Sequence, residues 1–145
     1  MIKNTHDFKP IEGKYVNLRE VEVDDAAFIL KLRTTGKGSK FLHKTSSDIQ
    51  KQIDYIKKYK TLDNEWYFIV TDKDGEAIGC LSAYDIRGNS VCTGRWVMVN
   101  ATDSRKGIES DLLLKDFVFN TLKATELRTD TKFSNKNMIN YFRMW

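Results

Sequence analysis

Val97-Met98-Val99-Asn100-Ala101-Thr102-Asp103-Ser104-Arg105-Lys106-Gly107-Ile108-Glu109-Ser110 is the stretch on which the reading of this chain turns. An apolar run passes into a short polar segment, which opens onto Leu112, Leu113, Leu114, Phe117, Val118, Phe119 and Leu122. The pattern predicts a strand, a loop and then a helix over Lys106–Leu122, with an apolar face wide enough to require heavy burial. The first amides of a helix lack intrahelical partners, and together with the helix dipole they attract anions. Gly107 admits a ligand close to the backbone, and Arg105 and Lys106 add positive charge. The chemistry suits a phosphate or diphosphate, although many strand–loop–helix junctions carry such residues with no ligand.

The flanking sequence alternates between strand-like and helix-like patterns. Tyr15–Val21 alternates apolar and polar residues, as a half-buried strand does, and Asp24-Asp25 then marks a helix start. That helix should stop before Gly36-Lys37-Gly38, a loop that fails the spacing of a nucleotide-binding glycine motif. Ser47-Asp48-Ile49-Gln50 has the form of a capping box, and Ile49, Ile53 and Ile56 form one stripe of a second helix. Trp66–Thr71, Ala77–Ile86 and Val91–Val99 read as three strands, joined by turns at Asp74-Gly75 and Arg87-Gly88-Asn89. After the long helix, Leu127–Phe133 has period two, and Ser134-Asn135 begins a last helix. The predicted order is β-α-α-β-β-β-α-β-α, an α+β domain whose final crossover makes two strands parallel.

Composition bounds the function classes. The 145 residues fit one domain spanning 1–145. Hydrophobic residues at 41% and charged residues at 30% argue against disorder. No apolar stretch approaches the roughly 18–20 residues that cross a bilayer, and Met1–His6 lacks the apolar core of a signal peptide. Cys80 and Cys92 have no zinc-site spacing and are too few for a disulfide framework. The expectation is a cytoplasmic protein without a metal, with both cysteines packed as small core residues. A net charge of +4 is small, and its basic residues are interspersed with acids, which fits a mixed solvated surface better than nucleic-acid binding.

On the quoted residues the chain resembles the GNAT N-acetyltransferases, which carry Arg/Gln-x-x-Gly-x-Gly/Ala between their fourth strand and third helix. Lys106-Gly107-Ile108 matches that loop, and Asn135 through Tyr141-Phe142 is similar to the family's second signature, Asn-x-x-Ala-x-x-x-Tyr. Leu18-Arg19-Glu20-Val21 ahead of Asp24-Asp25 resembles the branch acting on ribosomal-protein ends and aminosugars. The resemblance implies a mixed, mainly antiparallel sheet flanked by helices, here without the family's closing strands. It implies acetyl-coenzyme A as the acyl donor, held by Val97, Met98, Val99, Ser104, Arg105, Lys106, Gly107, Ile108, Glu109, Ser110, Asn135 and Phe142. A backbone amide of the Val97–Val99 strand would stabilise the oxyanion.

The chain departs from the family's pattern at three of these positions. Ser104 replaces Arg/Gln, and Glu109 replaces Gly/Ala. A carboxylate there would repel a diphosphate unless it points away or pairs with Arg105 or Lys106. Phe142 stands where many members have the tyrosine that protonates the leaving thiolate, which leaves Tyr141 or water for that role. Asp85 and His43 are candidates to deprotonate the amine, though a turn aspartate and a surface histidine are the ordinary readings. The leading function is acetyl transfer to a small-molecule primary amine, with an aminosugar nucleotide as acceptor. The alternatives are a protein N-terminus or polyamine as acceptor, or a catalytically weak domain that binds acyl-coenzyme A or another protein. No nucleic-acid or membrane partner is expected. An unfinished sheet edge predicts homodimers.

Overall fold

Trp66-Tyr67-Phe68-Ile69-Val70-Thr71 is buried at every position, which explains why it does not alternate. It lies inside a sheet covered on both faces. The computed structural model describes residues 9–34, 46–62, 64–99 and 102–129. In chain order these form β1 (Ile11–Glu12), β2 (Val16–Glu20), α1 (Ala26–Thr34), α2 (Ser46–Tyr59), β3 (Trp66–Asp72), β4 (Ala77–Arg87), β5 (Ser90–Met98), α3 (Ser104–Asp116) and β6 (Glu126–Thr129). The strands make one six-stranded sheet in the order β1-β2-β3-β4-β5-β6. Every neighbouring pair is antiparallel except β5 and β6, the pair joined through α3, which is parallel as expected.

Alternate residues divide the sheet between two cores. Trp66, Phe68, Leu81 and Val91 face α3, where Leu114, Phe117 and Val118 cover them. Tyr67, Ile69 and Cys80 face α1 and α2, and pack with Ile29, Leu32, Ile56 and Tyr59. Cys80 and Cys92 are both buried free thiols.

The elements outline the predicted ones, with four local differences. β1 is a two-residue strand, too short for a periodic signal. A 3-10 turn over Val23–Asp25 leads into α1, where Asp25 accepts the Glu22 amide at 2.7 Å and grips Arg19 through both carboxylate oxygens. The long helix becomes π-helical over Phe117–Thr121. It is buried on one side only, because Ile108, Leu112 and Phe119 are each about two-fifths exposed among the described residues. The Gly36-Lys37-Gly38 loop and the helix predicted from Ser134 lie outside the described residues.

Tyr59 ties the end of α2 to the sheet. Its hydroxyl donates to Glu20 Oε2 at 2.7 Å and accepts the Tyr67 amide at 2.8 Å. Burial, and then the Glu20 carboxylate, push the phenol above its usual range, so it stays a donor at all ordinary pH. Tyr59→Phe leaves a buried amide and a shielded carboxylate without this partner. We expect a loss of about 1–3 kcal/mol in urea unfolding, and an unchanged midpoint would contradict this account of the α2–sheet junction.

Candidate functional site

The β5–α3 junction is built as the sequence suggests, but its charges are arranged differently. Asp103 is the N-cap of α3 and accepts the Arg105 amide at 2.8 Å. The same carboxylate takes the Arg105 guanidinium at 2.7 Å. The Arg105 side chain, then its amide, pull the Asp103 carboxyl down to about 2. Asp103 therefore occupies part of the anion-attracting helix end and neutralises Arg105. Lys106 lies in an open groove of about 450 Å³ beside the β3–β4 hairpin. Asp72, Glu76 and Asp103 line the same groove, so its walls favour a cation over a diphosphate.

Gly107 is turned elsewhere. A Cβ placed there would meet nothing closer than Met98 and Trp96 of β5, each at 3.9 Å. The helix start therefore faces the Met98 and Trp96 side chains of β5 at ordinary contact distance, without crowding.

Glu109, the departure that threatened diphosphate binding, points away from Gly107. Its Oε1 accepts the amides of Tyr15 at 2.6 Å and Val16 at 2.9 Å, and its Oε2 accepts the Lys14 amide at 3.0 Å. It pairs with backbone rather than with Arg105 or Lys106, so of the two expected escapes it takes the first. Gly13 makes room, since a Cβ there would lie 2.5 Å from Glu109 Oε1 and 2.7 Å from the Val16 carbonyl. Tyr15, held in this turn, carries Lys14 and Arg105 over its ring at 5.3 and 5.1 Å.

Val99 is not available as an oxyanion donor. Its amide donates to the Ile78 carbonyl at 2.8 Å, and its own carbonyl accepts from the Thr102 amide. The irregular point of β5 lies further back. Cys80 pairs with Val97 and Ser82 with Gly94, so Arg95 and Trp96 together oppose Leu81 in a bulge. Arg95 has φ +54°, in the left-handed region. Such a bulge takes a residue out of the ladder and re-aims side chains. The described β5–β6 pairing ends at Thr93, just before this bulge.

Around the bulge lies a polar cluster that sequence reasoning missed. The Tyr55 hydroxyl donates to Glu65 Oε2 at 3.2 Å. Arg95 Nη1 donates to the Tyr55 hydroxyl at 3.0 Å and to Ser82 Oγ at 3.4 Å. Arg95 Nη2 lies 3.6 Å from Glu65 Oε1, and the guanidinium stacks on Tyr84 at 4.1 Å. Burial, more than any charge, raises the Tyr55 phenol above its usual range. No motif announces these residues, because α2, β4, β5 and the residue just ahead of β3 contribute them separately.

Asp85 lies near the opposite end of the β4–β5 ladder, where Tyr84 pairs with Cys92. It is exposed and binds Arg128 and Arg87, which hold its carboxyl below the usual range. A carboxylate neutralised by two guanidiniums, roughly 20 Å along the strand from Met98, is a counter-ion and not a base for this site. His43, Asn135, Tyr141 and Phe142 lie outside the described residues. Among the described residues there is no cluster of three or more metal-ligating side chains, and no helix long and apolar enough to cross a membrane.

With this architecture on the page, the comparisons agree on one family. The profile of the acetyltransferase (GNAT) domain matches residues 16–143. The chain belongs to the GNAT acetyltransferase family. Among solved structures it is similar to apo FdhC, a nucleotide-linked sugar GNAT, at 29% identity over 94% of this chain and 80% of that one, with a TM-score of 0.81. A candidate ribosomal-protein-serine acetyltransferase from Vibrio cholerae is 18% identical over 96% and 83%, with a TM-score of 0.74. The spermidine N-acetyltransferase SpeG from the same organism, as its F149G mutant, is 14% identical over 89% and 77%, with a TM-score of 0.71. At those last two identities the likeness shows the fold alone. No curated protein shows a significant match to the sequence.

Glu109 supplies a test of the site's frame. Burial raises its carboxyl, but the Tyr15, Val16 and Lys14 amides and the Lys73 charge outweigh that, leaving it below its ordinary 4.5. Its stabilising effect is therefore complete at neutral pH and is lost as pH falls through the lowered folded value. Glu109→Gln should cost about 1–3 kcal/mol at pH 7 and flatten the loss of stability seen on acidification below 4.5. A variant with wild-type stability and acid dependence in urea melts would contradict this arrangement.

Proposed function

We propose that this chain transfers an acetyl group from acetyl-coenzyme A to a primary amine, and that the amine belongs to a nucleotide-linked aminosugar. The observation that carries the reading is the Glu109 carboxylate, which the Tyr15 and Val16 amides hold away from the helix start at Gly107. A diphosphate would seat at the start of α3, near Ser104 and Gly107, by displacing the Asp103 cap, which holds the Arg105 amide through its side chain and the Lys106 and Gly107 amides through its carbonyl. Met98 and Val97, before the loop, are suited to the pantetheine arm. The bound thioester would supply the activated acyl carbon. The chain's own residues orient it, exclude water and accept the amine's proton. The aminosugar class draws support from the likeness to FdhC, a nucleotide-linked sugar GNAT.

A second reading also has an observation behind it. Asp103 already caps the helix end and neutralises Arg105, as expected of a domain that binds acyl-coenzyme A weakly and does no chemistry. Polyamines and protein N-termini are the remaining acceptor classes.

Asp103→Asn separates these readings. Asparagine still caps a helix, but it removes the negative charge and frees Arg105. If a diphosphate seats there, calorimetry should show acetyl-coenzyme A binding three- to tenfold more tightly to the variant. Unchanged affinity would remove the helix end from the site. Release of free coenzyme A by the wild type with a nucleotide-linked aminosugar would then support the transferase, and binding without release on any amine would favour the weak binder.

A further inference from the structure

We propose that Glu65 is the residue that takes the proton from the acceptor ammonium, and that Tyr55 and Arg95 are the positioning residues that hold its carboxylate beside the β5 bulge. This inference rests on the transferase reading above.

Three observations meet at this point. The first is the strained backbone. Arg95 sits at φ +54° in a bulge, a conformation that a non-glycine residue keeps only when its surroundings impose it. Here the bulge accompanies a side chain held by Tyr55, Ser82, Glu65 and the Tyr84 ring. The second is the state of the carboxylate. The Glu65 side chain is 18% exposed, so it is shielded yet still reached by solvent. A guanidinium lies against one of its oxygens at 3.6 Å and a phenol donates to the other at 3.2 Å, which fixes where the carboxylate points. The third is position. The cluster lies on the face that carries α1 and α2, where Tyr67 and Cys80 pack, and it adjoins the part of β5 beyond its last described pair with β6.

Other described carboxylates fit the role less well. Asp85 answers two arginines at the far end of β4, and Asp25 is bound by Arg19 at 2.7 and 2.8 Å through both oxygens, whereas the nearest Arg95 nitrogen stands 3.6 Å from Glu65. Glu65 stands next to the re-aimed β5 backbone through Arg95.

The chemistry balances with the acyl thioester as co-reactant. Glu65 accepts one proton from the ammonium and later returns it to solvent. The freed lone pair on nitrogen forms the C–N bond to the acyl carbon. The C–S bond breaks with its electron pair going to sulfur, and sulfur gains the second proton released by nitrogen. Tyr55 keeps its proton throughout and only orients the carboxylate.

The test compares the full-length wild type with Glu65→Gln and Tyr55→Phe. The substrates are acetyl-coenzyme A and three amines: a nucleotide-linked aminosugar, spermidine and a short peptide with a free N-terminus. We expect Glu65→Gln to lose at least thirtyfold in kcat on whichever amine the wild type uses. Its affinity for that amine, measured by calorimetry without thioester, should weaken about tenfold because the ammonium loses its counter-charge. Its affinity for acetyl-coenzyme A should stay within twofold. Tyr55→Phe, which keeps the ring, should lose three- to tenfold in kcat. Turnover and amine affinity within threefold of wild type in Glu65→Gln would overturn the assignment. So would a Glu65→Gln loss that extends to acetyl-coenzyme A, since the residue would then be structural. A wild type that binds the thioester but acetylates none of the three amines would also overturn it. A wild type that fails to bind acetyl-coenzyme A at all would instead bring down the transferase reading itself.

Discussion

The amides of Lys14, Tyr15 and Val16 converge on one carboxylate, that of Glu109, which lies 93 to 95 residues further along the chain. Three charge-assisted hydrogen bonds of this kind are stronger than neutral ones and hold direction as well as distance. They set the start of α3 against the turn between β1 and β2. Gly13 is needed for the approach, because any side chain there would collide with the carboxylate. The same contact turns Glu109 away from the end of β5 and from Gly107. A residue that seems hostile to an anionic ligand is thus consumed by the fold, and the site next to it keeps its polarity.

A second constraint acts from the other side of the sheet. The β4–β5 ladder must absorb one extra residue on β5, and it does so at Arg95. This bends the strand beside the α1 and α2 face and carries a guanidinium onto Glu65 and Tyr55. The bulge and the Glu109 clamp flank the segment Val97–Met98. The start of α3 and a shielded carboxylate thus lie near successive parts of one strand. The Asp103–Arg105 pair opposes the proposed site, because it competes for the helix end with the anion the site would bind.

The frame of the fold is legible in the sequence because periodicity reports burial. Trp66–Thr71 and Ala77–Ile86 appear as strands within a residue of their expected bounds, and the strand expected from Leu127 starts at Glu126, with the part of it beyond Thr129 outside the described residues. The wide apolar run after Lys106 over-predicts burial. Hydrophobicity alone does not say which side of a helix meets a sheet, and Ile108, Leu112 and Phe119 stay about two-fifths exposed among the described residues. The site is legible only where it is local, at the loop from Met98 to Gly107. The sequence leaves Glu109 either pointing away or pairing with Arg105 or Lys106, and its actual partners in the Lys14–Val16 turn are beyond any spacing rule. Glu65, Tyr55 and Arg95 carry no motif, because a bulge and a left-handed φ arise from sheet register and not from composition. Asp85 looked like a strand-end base, and only the proximity of Arg128, 43 residues away, shows it to be a counter-ion.

Glu109, held by the Lys14–Val16 turn, does not oppose a diphosphate at the head of α3. A crystal structure of the chain soaked with acetyl-coenzyme A tests it most directly. The account predicts diphosphate oxygens at about 3 Å from the amides between Ser104 and Ile108, with Glu109 still accepting from Tyr15 and Val16. A ligand seated elsewhere, or a Glu109 carboxylate released from that turn to make room, would contradict it.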